Sequence, residues 1–120
     1  MITAYIVNKN GSHSIENIEN NLETYYSIID CDTIDIVSRR FAGRYLDVIC
    51  DDCGLFTDNP VVTAVDPGYH PMLVGTLVIV RHDEEGETIS LTEEDVKAIR
   101  KSIAMVLDER GLRAILRCDY

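Results

Sequence analysis

Two cysteines three residues apart are the first candidates for chemistry in this sequence. Cys50 and Cys53 enclose two aspartates, a C-x-x-C spacing that zinc knuckles share with dithiol redox pairs. A structural zinc site needs two further ligands, and no second C-x-x-C supplies them. The remaining candidate ligands are Cys31, Cys118, His70 and His82. A redox pair is activated at a helix N-terminus, whereas this pair straddles a predicted turn after a strand. We therefore predict free thiols in a reducing compartment, with no metal and no cofactor.

The histidines are the next candidates. His82 stands beside Asp83 and has the chemistry of a general base, but no motif marks a serine or cysteine nucleophile for it to activate. His70 lies between Tyr69 and Pro71 and is predicted to be a loop residue. Neither a P-loop nor a G-x-G-x-x-G motif is present. The sequence therefore predicts a protein that is not an enzyme.

One local cluster combines basic and aromatic side chains. Its members are Arg39, Arg40, Phe41, Arg44 and Tyr45. The connecting loop after the third strand, predicted at residues 39–43, would carry most of them. Guanidinium groups there would suit a phosphate or carboxylate ligand. With the Pro/Gly-rich loop at residues 66–71, which carries Tyr69 and His70, this loop would form the walls of a ligand site. The alternative is a solvated hairpin end.

Hydrophobic periodicity predicts the elements that position these residues. Strands are predicted at residues 2–8, 13–18, 33–38 and 44–51, and a helix at residues 21–29. Residues 61–65 are predicted as an edge strand or a tucked loop, because Pro60 precedes them. Thr92 and Asp95 have the spacing of a helix N-cap and its third helical residue. An apolar stripe extends this second helix until Gly111 closes it. The stripe is Val96, Ile99, Ile103, Val106 and Leu107.

Residues 72–81 are the longest apolar run in the chain. A run this short and continuous is typical of a strand that is buried on both faces, so we place it at the centre of the sheet. Gly75 interrupts it and indicates a bulge or a close backbone approach. The sequence thus predicts one α+β domain over residues 1–120. It would have a mostly antiparallel sheet of five or six strands, with both helices on one face.

The charge distribution limits the partners. The formal net charge is −10, and residues 83–95 carry seven acids and no base. This stretch is typical of a solvated surface. An alternative interpretation is that its carboxylates imitate the phosphates of DNA. Such acidity opposes direct binding to nucleic acids and to anionic membranes. No apolar run reaches the ~18 residues of a membrane span, and no signal peptide is recognisable. We expect a cytoplasmic protein.

Several short motifs resemble the family catalogued as domain of unknown function 3846. They are Asp52-Cys53-Gly54-Leu55, Asn59-Pro60 with Thr63-Ala64, Pro71-Met72-Leu73-Val74-Gly75, Leu77-Val78-Ile79-Val80 and Ser90-Leu91-Thr92-Glu93-Glu94-Asp95. Upstream, Ile18-Glu19-Asn20-Asn21-Leu22-Glu23 and Ile34-Asp35-Ile36-Val37 also fit. Cys53 stands where an acid is expected. The resemblance implies an accessory protein of phages, plasmids or conjugative elements and implies no activity.

Two functions follow as expectations. The first is non-catalytic binding to a protein partner, in the service of a mobile element and against host defence. The second is binding or sequestering of a small ligand such as a nucleotide signal. The candidate binding residues for either are Arg39, Arg40, Phe41, Arg44, Tyr69 and His70.

Overall fold

The computed structural model describes residues 1–56 and 59–120, without the side chain of Leu55. The strands in these residues are β1 (Ile2–Val7), β2 (His13–Ile18), β3 (Ile34–Phe41), β4 (Arg44–Asp51), β5 (Val62–Val65), β6 (Pro71–Val74), β7 (Leu77–His82), β8 (Thr88–Ile89), β9 (Ile103–Asp108) and β10 (Gly111–Arg117). The helices are α1 (Leu22–Ile29), α2 (Glu93–Lys101) and a single 3-10 turn at Gly54–Phe56.

The strand β7 lies at the centre of an antiparallel sheet of six strands. The order is β2-β1-β7-β4-β3, and β8 pairs with the last two residues of β7. Residues 77–80 of β7 are at most 1% exposed, as expected of a continuously apolar strand covered on both faces. The prediction of an α+β fold with a mostly antiparallel sheet of five or six strands is confirmed.

The apolar run at residues 72–81 is divided between two sheets, so its prediction as one strand was wrong. Gly75 has φ +78°, a left-handed conformation that glycine adopts without steric cost. Before it, β6 pairs with β5 in a second sheet, and after it β7 enters the central sheet. The hydroxyl of Thr63 donates to the Gly75 carbonyl oxygen at 2.6 Å. Gly75 therefore marks a change of sheet rather than a bulge within one strand.

The second sheet has four strands in the order β6-β5-β10-β9. β10 pairs parallel with β5 and antiparallel with β9. β5 is thus an interior strand, and the predicted edge position was wrong. Pro60 precedes β5, where its missing N–H removes no hydrogen bond from the ladder.

Helix α2 ends at Lys101, and the prediction that it continues to Gly111 was wrong. Ser102 follows it, and its hydroxyl donates to the Ala98 carbonyl oxygen at 3.0 Å. Residues 103–108 then form β9, which returns as β10 after the turn at residues 109–110. Gly111, with φ +98°, belongs to this hairpin and closes no helix.

The two helices lie on opposite faces of the central sheet, so their predicted placement on one face was wrong. Successive residues of a strand point to opposite faces. In β1, Tyr5 packs in the same cluster as Ile99 of α2, whereas Ile6 packs with Tyr25 of α1. Leu116 of the second sheet belongs to the cluster of α2. The C-terminal end of α2 consequently meets the second sheet.

No helix in the described part of the chain is long and apolar enough to span a lipid bilayer.

Candidate functional site

The basic–aromatic cluster is not the exposed loop that its sequence suggested. Arg39, Arg40 and Phe41 lie on β3, and only residues 42–43 connect β3 to β4. Phe41 is completely buried and cannot contact a ligand. Arg40 donates to a carboxylate oxygen of Asp119 at 2.6 Å, an ion pair that joins β3 to the C-terminal segment.

Arg44 is occupied by a buried carboxylate. Its Nε and Nη2 donate to Oδ1 of Asp95 at 2.9 and 2.8 Å. Burial alone would raise the pKa of Asp95, but the backbone N–H of Thr92 and the Arg44 guanidinium outweigh it and lower that pKa. Asp95 is only 1% exposed. Arg44 therefore anchors the start of α2, and its role in ligand binding stays a prediction.

Arg39 faces a different part of the surface. Its guanidinium lies 4.7 Å from the ring centroid of Tyr120, and its Nε donates to the Met72 sulfur at 3.2 Å. The cavity of about 270 Å³ beside it is also lined by three aspartates. These are Asp35, Asp51 and Asp52. The carboxylates make this cavity a poor site for an anion.

The loop at residues 66–71 is organised by one aspartate. Oδ1 of Asp66 accepts hydrogen bonds from the backbone N–H groups of Gly68 and His70, at 2.8 and 2.9 Å. Nδ1 of His70 lies 3.1 Å from the other carboxylate oxygen. The N–H and imidazole of His70 lower the pKa of Asp66. His70 therefore supports the loop, and its role in ligand binding stays a prediction.

Tyr69 forms one wall of a cleft that the sequence did not reveal in full. The Arg117 guanidinium lies 4.6 Å from the Tyr69 ring centroid, and its Nε donates to the Pro67 carbonyl oxygen at 3.1 Å. The cleft has a volume of about 380 Å³, within the ~300–1,000 Å³ of small-ligand sites. Its lining residues are Ala42, Pro67, Tyr69, Lys101, Ser102, Ile103, Ala104 and Arg117.

Each of the two predicted loops contributes to this cleft. The connection between β3 and β4 supplies Ala42, and the loop at residues 66–71 supplies Pro67 and Tyr69. The predicted members Arg39, Arg40, Phe41 and Arg44 are not among the described residues that line it. The cations, however, are Lys101 at the end of α2 and Arg117 at the end of β10. The sequence did not predict either residue for the site. With α2 predicted to continue to Gly111, the β9–β10 hairpin that brings the two residues together was not expected. No carboxylate belongs to the described residues that line the cleft.

The remaining chemical candidates, His82 and the cysteines, are not among the described residues that line the cleft. Nδ1 of His82 lies 2.7 Å from a carboxylate oxygen of Asp47 on β4, so its partner is not the neighbouring Asp83. Within the described ranges, the His82 ring hydrogen-bonds to no hydroxyl or thiol that could serve as a nucleophile.

The cysteines are free thiols in different environments. Burial raises the pKa of Cys50 and of Cys118 to about 11 each, so both are protonated at neutral pH. Cys53 is exposed in the turn after β4. In residues 1–56 and 59–120, no three His, Cys, Asp or Glu side chains come together as metal ligands.

The model of the family described as Domain of unknown function (DUF3846) matches residues 2–104. The chain belongs to this family. Its DUF3846 region includes Ala42, the loop at residues 66–71, Lys101 and Ser102, whereas Arg117 lies beyond the match. Neither a curated protein nor a solved structure matches the chain.

Proposed function

We propose that this DUF3846 protein acts by binding rather than by catalysis, and that its ligand is a small phosphate-bearing molecule such as a nucleotide. The observation that carries this proposal is the cleft between α2, β10 and the loop at residues 66–71. It combines Lys101 and Arg117 with the aromatic ring of Tyr69 and has no acidic lining residue in the described chain. In a protein of net charge −10, such a local excess of cations favours an anion.

The donors of the cleft suit phosphate oxygens. Arg117 is held in place by Tyr69 and by the Pro67 carbonyl, and its Nη1 makes no hydrogen bond to a described residue. The Lys101 ammonium and the Tyr69 hydroxyl make no hydrogen bond to the described residues, and both line the cleft. A preorganised guanidinium beside a mobile ammonium is a recurrent arrangement in phosphate recognition. The hydroxyl of Ser102, in contrast, is occupied by the Ala98 carbonyl.

We expect Lys101→Gln to weaken binding of the ligand about tenfold or more. A hydrogen bond to a charged group contributes about 1.5–3 kcal/mol, and this substitution removes both the charge and the donors. Thermal-shift screening of inorganic phosphate, pyrophosphate and nucleotides would first identify the ligand. A ligand at a hundred times its dissociation constant adds about 2.7 kcal/mol to the free energy of unfolding. Isothermal titration calorimetry then measures the affinity of each variant.

Lys97→Gln is the matched control, since Lys97 lies one helical turn earlier in α2, is exposed and does not line this cleft. It removes the same charge from the same helix and should change affinity by less than about threefold if binding is local. Absence of any shift across the ligand panel, or equal losses in the two variants, would contradict the proposal.

The acidic segment supports a second candidate, binding to a basic partner protein. Five carboxylate side chains there are exposed, and of these five only Glu94 forms an ion pair with a described residue, Lys97 at 3.5 Å. They are Glu84, Glu85, Glu87, Glu93 and Glu94. The resemblance to proteins of mobile elements motivates a partner in host defence.

Affinity capture from host lysate tests this second function. Replacing Glu84, Glu85 and Glu87 with Gln should abolish capture of a partner whose binding weakens with salt. The matched control replaces three exposed glutamates: Glu16 on β2, Glu19 in the connection after β2 and Glu23 at the start of α1. Two results would contradict an acidic docking surface. One is a partner that is still captured after replacement of Glu84, Glu85 and Glu87, and the other is an equal loss of capture in the control variant.

A further inference from the structure

The cleft beside Lys101 and Arg117 offers few positive charges. These two side chains are the cations among its described lining residues, and the other lining residues are neutral. The Arg117 guanidinium is fixed on the Tyr69 ring, 4.6 Å from the ring centroid, whereas Lys101 is exposed at the end of α2. The cleft can therefore neutralise about two negative charges of a bound anion.

Carboxylates follow closely on both sides of the cleft in the chain. Asp66 directly precedes Pro67, and Asp119 lies two residues after Arg117, but neither of them lines the cleft. The backbone N–H and imidazole of His70 lower the pKa of Asp66. The backbone N–H of the last residue and the Arg40 guanidinium likewise lower the pKa of Asp119. Both carboxylates are ionised at neutral pH, and they oppose an anion that extends beyond the two cations.

The uncharged part of the lining suits a flat ring. Its apolar members are Ala42, Pro67, Ile103 and Ala104. Tyr69 is 53% exposed although the Arg117 guanidinium lies over its ring, so part of the ring surface remains accessible. Nucleobases stack on aromatic rings and on guanidinium planes. This part of the cleft therefore suits a nucleoside.

The size and the charge of the cleft both favour a short phosphate chain. Its volume of about 380 Å³ is near the lower end of the ~300–1,000 Å³ of small-ligand sites. A phosphate monoester carries a charge of about −1.5 to −2 at pH 7, which two cations balance. A diphosphate or triphosphate chain is longer and adds negative charge that the described lining does not neutralise.

We propose that this cleft selects nucleoside monophosphates over the corresponding diphosphates and triphosphates. The inference rests on the proposed function, because it concerns the same cleft and specifies which phosphate-bearing ligand binds there. The phosphate group meets Lys101 and Arg117, and the base lies against Tyr69 and the apolar lining. A longer phosphate chain places unbalanced charge next to a protein of net charge −10.

Isothermal titration calorimetry with AMP, CMP, GMP and UMP, and then with the diphosphate and triphosphate of the best ligand, tests the selectivity. EDTA is present throughout, so that no divalent cation neutralises the phosphate chain. The monophosphate should bind about tenfold more tightly than its triphosphate, because the extra charges of the triphosphate remain unbalanced. A 5′-phosphorylated trinucleotide distinguishes a free nucleotide from the end of a nucleic acid, and it should bind more weakly than the monophosphate.

Ala42→Lys tests whether charge balance sets the preference. Ala42 is exposed where it lines the cleft, and lysine there adds a third cation. The affinity ratio of monophosphate to triphosphate should fall at least about threefold, since the added charge favours the longer chain. Phe56→Lys is the matched control, because Phe56 is 88% exposed and does not line the cleft. It should leave the ratio unchanged, and circular dichroism verifies the fold of each variant.

The outcomes separate this inference from the proposed function. Three results would overturn the selectivity while phosphate binding in the cleft stands. These are a triphosphate or trinucleotide that binds as tightly as the monophosphate, binding of inorganic phosphate or pyrophosphate without any monophosphate, and a ratio that responds equally to Ala42→Lys and Phe56→Lys. If none of these phosphate compounds binds, the proposed function is contradicted, and this inference with it.

Discussion

Replacing Asp95 with Asn is expected to lower the free energy of unfolding by about 2–3 kcal/mol at neutral pH. Its Oδ2 accepts a hydrogen bond from the Thr92 N–H at 2.8 Å, and its own N–H donates to the Thr92 hydroxyl at 3.2 Å. These reciprocal bonds form the capping box of α2. Arg44 donates to Oδ1, and Arg81 approaches Oδ2 at 3.4 Å. Asparagine keeps one acceptor oxygen but turns an NH₂ group toward donors, in a site that is almost completely buried. Urea denaturation of both proteins measures the loss.

The pH dependence distinguishes this mechanism from a general packing defect. Because the folded-state pKa of Asp95 lies below its ordinary value of 3.8, its ionised form stabilises the fold at pH values above that value. This stabilisation disappears as the pH falls through the folded-state pKa. The difference between the original protein and Asp95→Asn should therefore shrink in acid. Glu94→Gln removes an exposed charge from the same helical turn and should cost less than about 0.5 kcal/mol. A difference that persists unchanged in acid would contradict the electrostatic explanation.

The start of α2 was predictable because its signal is local. Thr92 and Asp95 are three residues apart, and the capping box that this spacing predicts is present. The end of the helix was not predictable from the same pattern. Ile103, Val106 and Leu107 have helical spacing, yet they lie in a strand whose pairing with β10 determines its conformation. Tertiary pairing overrides local periodicity here, and Gly111 is compatible with a hairpin turn as well as with a helix end.

The candidate cleft was predictable only where its parts are local. The Pro/Gly-rich loop was identified from residues 66–71, and Tyr69 does line the cleft. Lys101 and Arg117 carry no local signature, since they become neighbours only when β9 reverses into β10. Arg44 shows the opposite error. Its neighbours suggested an exposed cationic loop, whereas its carboxylate partner lies 51 residues away in the sequence. Pairing of charges over such distances cannot be read from one sequence.

Burial of the central strand was the strongest expectation from the sequence, and it leads to the largest expected effect. Replacing Ile79 with Ala should lower the free energy of unfolding by about 3–4 kcal/mol, within the 2–5 kcal/mol typical of buried Ile→Ala substitutions. Ile79 is 0% exposed and lies between Tyr5 of β1 and Val48 of β4, which are themselves buried. Strands paired on both sides cannot close around the lost atoms, so a cavity should remain. Denaturant titration of both proteins measures the change, with one slope of free energy against denaturant concentration used for both.

Ile36→Ala makes the same chemical change at the edge of the same sheet. Ile36 lies on β3 and is 53% exposed, and within the described part of the chain it is paired on one side only, with Ile49. Its truncation removes fewer buried contacts and should cost less than about 1 kcal/mol. Both substitutions remove the same atoms from an isoleucine in the same sheet. The ratio of the two losses in free energy of unfolding therefore measures how much more the fold depends on β7 than on the edge strand β3. If the core depends mainly on β7, Ile79→Ala must lower the free energy of unfolding more than Ile36→Ala does. Comparable losses at the two positions would contradict this.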